Sequence, residues 1–154
     1  GNGQIIFNNV DAISEADSLE LAYEEIEAQT GVKVPQLFYV PKELEYKRVI
    51  IKDGMSCIDF DYEDGSLYYQ QMSKGRANSV GYNSDREPYK TIYNRFLNQD
   101  IEIYKNILET GETEISAQYV IEDTFYYLVG VIDENVMEKL VKNISFTDSV
   151  RYKK

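Results

Sequence analysis

Apolar side chains recur every three or four residues near the start of the chain. Over residues 18–30 this spacing predicts an amphipathic helix with one buried face. Asp17 or Ser18 is suited to cap its start, and Gly31 is suited to end it, because glycine readily adopts the left-handed conformation that stops a helix. The apolar positions are Leu19, Ala22, Tyr23 and Ile26.

A second apolar stripe with helical spacing lies near the end of the chain. Asp133 precedes it and is suited to cap a helix that reaches about Asn143. A helix with one apolar face buries that face against another element, so we expect this helix to pack on a sheet. Its apolar positions are Val136, Met137, Leu140, Val141 and Ile144.

The chain between the two helices is dominated by β-branched and aromatic runs, which is typical of strands. Turn residues at Asp53, Gly54 and Gly65 separate the first three runs and predict an antiparallel meander. Residues 90–98 have apolar residues at i, i+4 spacing, and a short helix is favoured there. Residues 124–132 are apolar on both faces, as in a central strand. The predicted strands cover residues 46–52, 56–62, 67–72, 101–108, 112–122 and 124–132.

Together these elements predict a single α+β domain. We expect an antiparallel twisted β-sheet of about six strands in two meanders, with an N-terminal and a C-terminal amphipathic helix packed on one face. Residues 18–146 form this domain, residues 1–17 an N-terminal extension and residues 147–154 a frayed tail; Gly1 is interpreted as a remnant of tag removal. The polar segment 73–89 is predicted to be the most variable loop.

The charge balance narrows the classes of partner. The chain has 16 Lys and Arg against 27 Asp and Glu, a formal net charge of −11. Nucleic-acid binding needs clustered cations, so we expect no nucleic-acid partner. An acidic surface is also repelled by anionic bilayers, so we expect no direct membrane binding by this domain.

No arrangement of residues marks a catalytic or cofactor site. The chain has no histidine and a single cysteine, Cys57, which removes the common catalytic triads and any cysteine-rich metal centre. We therefore predict no enzyme activity, no cofactor and no metal, and keep a carboxylate-pair enzyme as a third hypothesis. Asp59 and Asp61 resemble the start of a calcium loop, but Asp64 stands where that loop needs glycine. A solvated strand face is favoured over a weak calcium site there.

Tyrosine is unusually frequent, with 14 residues. Its flat apolar ring and polar tip suit the recognition of peptides, glycans or other proteins. It also favours strands, so ordinary half-buried sheet residues are the simpler interpretation. If a binding face exists, Tyr68, Tyr82 and Tyr89, which lie near the long loop, are the first candidates for a ligand or partner face.

Five segments carry a resemblance to a known family: residues 19–29, 34–35, 40–46, 126–130 and 140–145. In this order they resemble the extracytoplasmic domain of Gram-positive bacterial membrane proteins grouped as domain of unknown function 4367, which is anti-sigma-factor-like. The resemblance spans residues 18–146 and rests on apolar residues and prolines. The family often has a tryptophan in the strand before the tyrosine-rich one, where this chain has Tyr119 or Val120; this departure leaves the strand register open.

The resemblance implies a cell-surface domain tethered by a membrane-spanning segment upstream, and it implies no catalytic residues. The leading hypothesis is a non-catalytic extracytoplasmic sensor or regulatory domain of a membrane-anchored, anti-sigma-factor-like protein. Its partner would be an unknown protein or cell-envelope ligand that shifts the population of two conformations. The alternative is a cell-envelope binding module or lipoprotein that captures an apolar or glycan ligand between sheet and helices.

Overall fold

A computed structural model describes residues 14–79, 81 and 86–146. The helices are α1 (Leu19–Thr30), α2 (Lys74–Ser79) and α3 (Glu134–Lys142). The strands are β1 (Gln36–Leu37), β2 (Leu44–Lys52), β3 (Met55–Tyr62), β4 (Gly65–Ser73), β5 (Lys90–Asn94), β6 (Gln99–Ile107), β7 (Thr113–Ile121), β8 (Thr124–Gly130) and β9 (Ile144–Ser145). None of the helices in these ranges is long and apolar enough to cross a membrane.

Seven strands form one antiparallel sheet in the order β2-β3-β4-β8-β7-β6-β5. β1 and β9 form a separate two-stranded antiparallel sheet. The predicted α+β class is therefore confirmed. The expected sheet of about six strands in two meanders needs correction, because β5 adds a strand and the pairing of β4 with β8 joins all seven strands into one sheet. Strand order depends on such long-range pairings, which local patterns do not specify.

The helix favoured at residues 90–98 is wrong, because β5 occupies most of this segment. Ile92 and Asn94 are buried, whereas Thr91 and Tyr93 are exposed. This alternation has the period of two that a strand imposes. The apolar spacing that favoured a helix was too short, at barely two turns, to outweigh the pairing of β5 with β6.

The side chain of Asn94 is the tertiary contact that holds the end of β5 in place. Its amide nitrogen donates to the carbonyl oxygens of Val141, at 2.7 Å, and Ile144, at 2.9 Å. Its amide oxygen accepts the backbone N–H groups of Phe96 and Leu97, each at 2.8 Å. This fully buried side chain therefore satisfies its hydrogen bonds by tying β5 to the end of α3.

The ends of the two predicted helices are confirmed. The Ser18 hydroxyl accepts the N–H of Leu21 at 3.2 Å, and Gly31 ends α1 with a left-handed φ of 75°. The Asp133 carboxylate accepts the N–H of Asn135 at 2.8 Å at the start of α3. These caps act over four residues or fewer, so their chemistry is visible in the sequence.

The main core lies between one face of the sheet and the helices α1 and α3. The helices contribute Ala22, Tyr23, Ile26, Met137, Leu140 and Val141, and the strands contribute, among others, Ile58, Phe60, Leu67, Tyr69, Ile103, Ala117 and Leu128. A smaller cluster on the other face contains Met55, Met72, Ala77, Phe125, Tyr127 and Val129. Ala77 belongs to α2, so part of the predicted loop 73–89 is a short helix that covers this second face.

A buried tyrosine hydroxyl fixes the connector between α1 and β2, residues 32–41, to the sheet. The Tyr69 hydroxyl donates to the carbonyl oxygen of Pro35 at 2.7 Å. It is also hydrogen-bonded to the hydroxyl of Tyr119. Because a hydroxyl has one proton, and that of Tyr69 points to Pro35, Tyr119 is the donor of the second bond.

Two further tyrosines hold the same connector. The Tyr23 hydroxyl accepts the N–H of Leu37 at 2.9 Å, and the Tyr126 hydroxyl donates to the carbonyl oxygen of Lys33 at 3.3 Å. Burial raises the pKa of Tyr126 to about 12, so its hydroxyl stays protonated and able to donate. The tyrosines thus hold the connector through hydrogen bonds to its backbone groups and not to its side chains.

Replacing Tyr69 with Phe should lower the free energy of unfolding by about 1–3 kcal/mol, because the Pro35 carbonyl and the Tyr119 hydroxyl would lose a partner inside the core. Tyr93→Phe is the matched control, since its hydroxyl also bonds a side chain, that of Asn98, but Tyr93 is 54% exposed and water can replace the bond. Urea denaturation of both variants measures the difference. Equal losses would contradict a special role of the Tyr69 hydroxyl.

Candidate functional site

One end of the sheet carries an open cleft between the β3–β4 turn and the start of β7. Its volume is about 470 Å³. We name it the acidic cleft. Its lining residues are Tyr62, Glu63, Asp64, Gly65, Ser66, Tyr68, Glu112, Glu114, Gly130 and Val131.

Close strand packing builds the floor of the acidic cleft. β8 lies between β4 and β7, and Gly130 at its end pairs with Leu67 on one side and Ile115 on the other. A Cβ added at Gly130 would lie 2.6 Å from the carbonyl oxygen of Ser66. Only glycine therefore lets β8 approach β4 this closely, and this approach brings Tyr68 and the start of β7 to the same end of the sheet.

The electrostatics of the acidic cleft are negative, with four carboxylate side chains and no cationic one among its lining residues. Glu114 is the buried member, 5% exposed. Burial raises its pKa, against the opposing effect of a hydrogen bond to Asn106. The anionic form of Glu114 is therefore destabilised by desolvation, and a nearby positive charge would stabilise it.

The chemistry of the acidic cleft suits a ligand rich in hydrogen-bond donors. Carboxylates accept N–H and O–H groups, and the ring of Tyr68 can stack on a cation or on a sugar face. Across residues 14–79, 81 and 86–146 no group of three or more His, Cys, Asp or Glu side chains is placed to hold a metal ion. An ammonium, a guanidinium or a set of hydroxyls fits the lining better than an apolar ligand.

Two other clefts have less chemistry to offer. One of about 600 Å³ lies beside the end of α1 and is lined by Gly31, Val32, Lys33, Ile121, Glu122, Thr124, Tyr126 and Phe146. Another of about 330 Å³ lies near β5 and β6 and is lined by Thr91, Gln99, Asp100, Glu102, Gln118, Tyr119, Val120 and Phe125. In the first, the Tyr126 hydroxyl already donates to the backbone carbonyl oxygen of Lys33, and in the second, the Glu102 carboxylate already accepts from Gln118. The acidic cleft is therefore the stronger candidate.

Two of the three predicted tyrosines, Tyr68 and Tyr89, lie in different parts of the sheet. Tyr68 lines the acidic cleft. Tyr89 lies just before β5, four strands from β4 in the sheet order, which corresponds to roughly 19 Å at about 4.8 Å per strand spacing. Its ring is contacted by the ammonium groups of Lys105, at 4.0 Å, and Lys90, at 5.6 Å. Tyr82 lies outside the described residues.

The carboxylates considered for calcium are paired with cations instead. Arg48 Nε lies 3.1 Å from Asp59 Oδ2, and Lys47 Nζ lies 3.8 Å from Asp61 Oδ1. A register shift in the β2–β3 pairing next to Arg48 places these two cations side by side along β2. The solvated-face interpretation holds for Asp61, whose side chain is 53% exposed, but not for Asp59, whose side chain is 5% exposed.

Asp59 is a buried carboxylate that is only half satisfied. Its Oδ1 atom has no hydrogen-bond partner among the described residues. Burial raises its pKa, and the attraction of Arg48 and Lys47 offsets this only in part. The charged form therefore reduces the stability of the folded protein.

The acidic cleft contains residues that the sequence did not single out. Along β7, Ile115 and Ala117 face the main core, so the alternation of a strand places Glu114 on the opposite face of the sheet. Its place in the same cleft as Tyr68 depends on β8 lying between β4 and β7. No local signal in the sequence carries that information.

A scan against models of protein families found no matching family, and searches of curated proteins and of solved structures found no significant match. The anti-sigma-factor-like resemblance therefore stays a prediction.

Asp59→Asn should change how stability depends on pH. The folded-state pKa of Asp59 lies above its ordinary value of 3.8, so the folded state favours the protonated carboxyl group. The stabilisation from this protonated form is complete below pH 3.8 and is lost as pH rises through the folded-state pKa. An asparagine side chain cannot ionise, so the variant does not lose this stabilisation. Its free energy of unfolding, relative to that of the wild type, should therefore increase as pH rises from 3.8 towards neutrality.

Urea denaturation of both proteins over this pH range measures the effect. Asp61→Asn is the matched control, because it removes an exposed carboxylate on the same strand face. If the difference between Asp59→Asn and wild type stays constant with pH, the raised pKa of Asp59 is wrong.

Proposed function

We propose that this chain is a non-catalytic sensor or regulatory domain, extracytoplasmic and part of a membrane-anchored, anti-sigma-factor-like protein. The resemblance of residues 18–146 supports the class and the location. The acidic cleft is the observation that supports binding as its mode of action, because it combines Tyr68 with the buried Glu114. The chain also has no histidine, the most frequent general base in enzymes.

The lining of the acidic cleft favours a polypeptide ligand that presents a Lys or Arg side chain. A cation over the ring of Tyr68 would contribute about 0.5–1 kcal/mol at an exposed site. Each charge-assisted hydrogen bond to a carboxylate would add about 1.5–3 kcal/mol. Binding through two or three such contacts gives affinities suited to a reversible sensor.

Glu114 provides a reason for such a ligand to change the balance between conformations. Its charge is destabilised by burial, and a bound cation would reduce this penalty in any conformation that places the cation beside Glu114. Only a difference in ligand affinity between two conformations can shift their populations. Because the β3–β4 turn and the start of β7 both line the acidic cleft, a ligand bound there would contact both halves of the sheet.

The alternative is a cell-envelope binding module that captures a glycan. Tyr68 beside several carboxylates favours it, since aromatic stacking and hydroxyl-to-carboxylate hydrogen bonds are both available to a sugar. The apolar-ligand version has less support, because the space between the sheet and the helices is filled by the buried side chains of the main core. Ionic strength separates the two ligand classes, because salt screens the binding of a cation and has little effect on a neutral sugar.

The proposal predicts that lysine- or arginine-containing peptides raise the thermal unfolding temperature of the domain in a saturable way. A ligand at a hundred times its Kd adds about 2.7 kcal/mol to the stability of the folded state. Tyr68→Ala and Glu114→Gln should each weaken peptide binding by roughly tenfold, which corresponds to about 1.4 kcal/mol. Tyr89→Ala is the matched control, since Tyr89 is an exposed tyrosine outside the acidic cleft.

The outcomes distinguish the two functions. Salt-sensitive peptide binding that depends on Tyr68 and Glu114 supports the sensor of a polypeptide. Salt-insensitive binding of neutral cell-wall glycans at the same residues replaces it with the glycan module. If neither ligand class produces a shift, or if the shift survives both substitutions, the acidic cleft is not the binding site.

A further inference from the structure

β5 is the last strand of the seven-stranded sheet. It pairs with β6 on one side, and within residues 14–79, 81 and 86–146 no backbone hydrogen bond joins its other side to another segment. The opposite edge of the sheet differs, because Ser14 donates its N–H to the carbonyl oxygen of Val49 in β2 at 3.0 Å. An open strand edge presents unpaired backbone groups to any other strand.

Exposed aromatic side chains lie at this same edge. Tyr93 in β5 is 54% exposed, and Tyr89, just before β5, is 53% exposed. Exposed apolar residues beside an unpaired strand edge favour an interaction surface.

The residues along β5 complement a second copy of themselves. If two copies pair antiparallel about a two-fold axis at Ile92, Thr91 lies opposite Tyr93 of the other copy. A β-branched residue opposite an aromatic one is a favourable cross-strand pair. This contact occurs twice, as in an isologous interface.

The charge on this edge permits self-association despite the net charge of −11. Residues 89–95 contain two cations and no carboxylate. One of these cations, Lys90, is already neutralised by Glu138, at 2.6 Å, and Glu134, at 3.1 Å. The edge is therefore close to neutral, whereas most of the surface would repel an identical acidic copy.

From these observations we propose that two copies of this chain associate through their β5 strands, which pair antiparallel about Ile92 and join the two sheets into one. A second copy fits this edge because the register that aligns the two β5 backbones also aligns Thr91 of each copy with Tyr93 of the other. The inference is independent of the ligand of the acidic cleft, which lies at the β3–β4 turn.

The test is sedimentation velocity of the purified chain over micromolar to millimolar concentrations. The wild type should shift from 17.9 kDa towards twice that mass as concentration rises. The double substitution Thr91→Lys with Tyr93→Lys should raise the dimer Kd by roughly tenfold or more, because like charges then face each other across the two-fold axis. Both side chains are exposed in the single copy, so the fold should be retained, which circular dichroism verifies.

Two controls make the test specific for antiparallel β5 pairing. Ile107→Lys adds the same charge at an exposed apolar residue of β6 and should leave the dimer Kd unchanged. A second double variant, Thr91→Glu with Tyr93→Glu, should be monomeric alone and should form a mixed dimer with the lysine variant, because opposite charges then face each other.

Three results would overturn the proposal. The wild type would remain at 17.9 kDa at every concentration, or the lysine double variant would dimerise like the wild type, or the two oppositely charged variants would fail to associate when mixed. Retained dimerisation of the lysine variant would place the interface on another surface.

Discussion

The buried hydroxyl of Tyr69 is the contact on which the rest of the structure depends. Pro35 and Pro41 keep the connector after α1 from forming a long paired strand, and only Gln36 and Leu37 within it pair with β9. The buried Pro35 carbonyl group therefore needs another hydrogen-bond donor. Tyr69 lies near the middle of the sheet, in β4, and satisfies the Pro35 carbonyl there. With the connector fixed at this point, α1 contacts β2 and β3, and β1 reaches β9.

The pairing of β4 with β8 joins this core to the acidic cleft. Tyr69 faces the main core from β4, and its neighbour Tyr68 faces the other side and lines the cleft. Gly130 lets β8 lie close to β4 at the same end of the sheet. The main core and the proposed binding site therefore share one pair of central strands. A ligand bound at the proposed site would contact strands that also carry the main core.

Several elements could be predicted because their causes are local. Ser18, Gly31 and Asp133 cap helices through contacts within four residues. The turn at Asp53 and Gly54 joins two strands whose alternation shows which residues share a face. The prediction for β5 was wrong because the bonds of Asn94 to Val141 and Ile144 override a short apolar spacing. Of the candidate site, Tyr68 was predicted, and its carboxylate neighbours were not.

The sequence by itself determined the α+β class, both long helices, most strands and the acidic charge, since these follow from composition and from periodicities of two and 3.6 residues. Only the tertiary structure decided the strand order, the burial of Asp59 and the separation of Tyr68 from Tyr89. It also decided that Tyr68 and Glu114 line the same cleft. The physical reason is that alternation shows which face a side chain occupies but not which strand lies beside it. Strand neighbours are chosen by packing between residues far apart in the chain, as at Gly130 and Ser66.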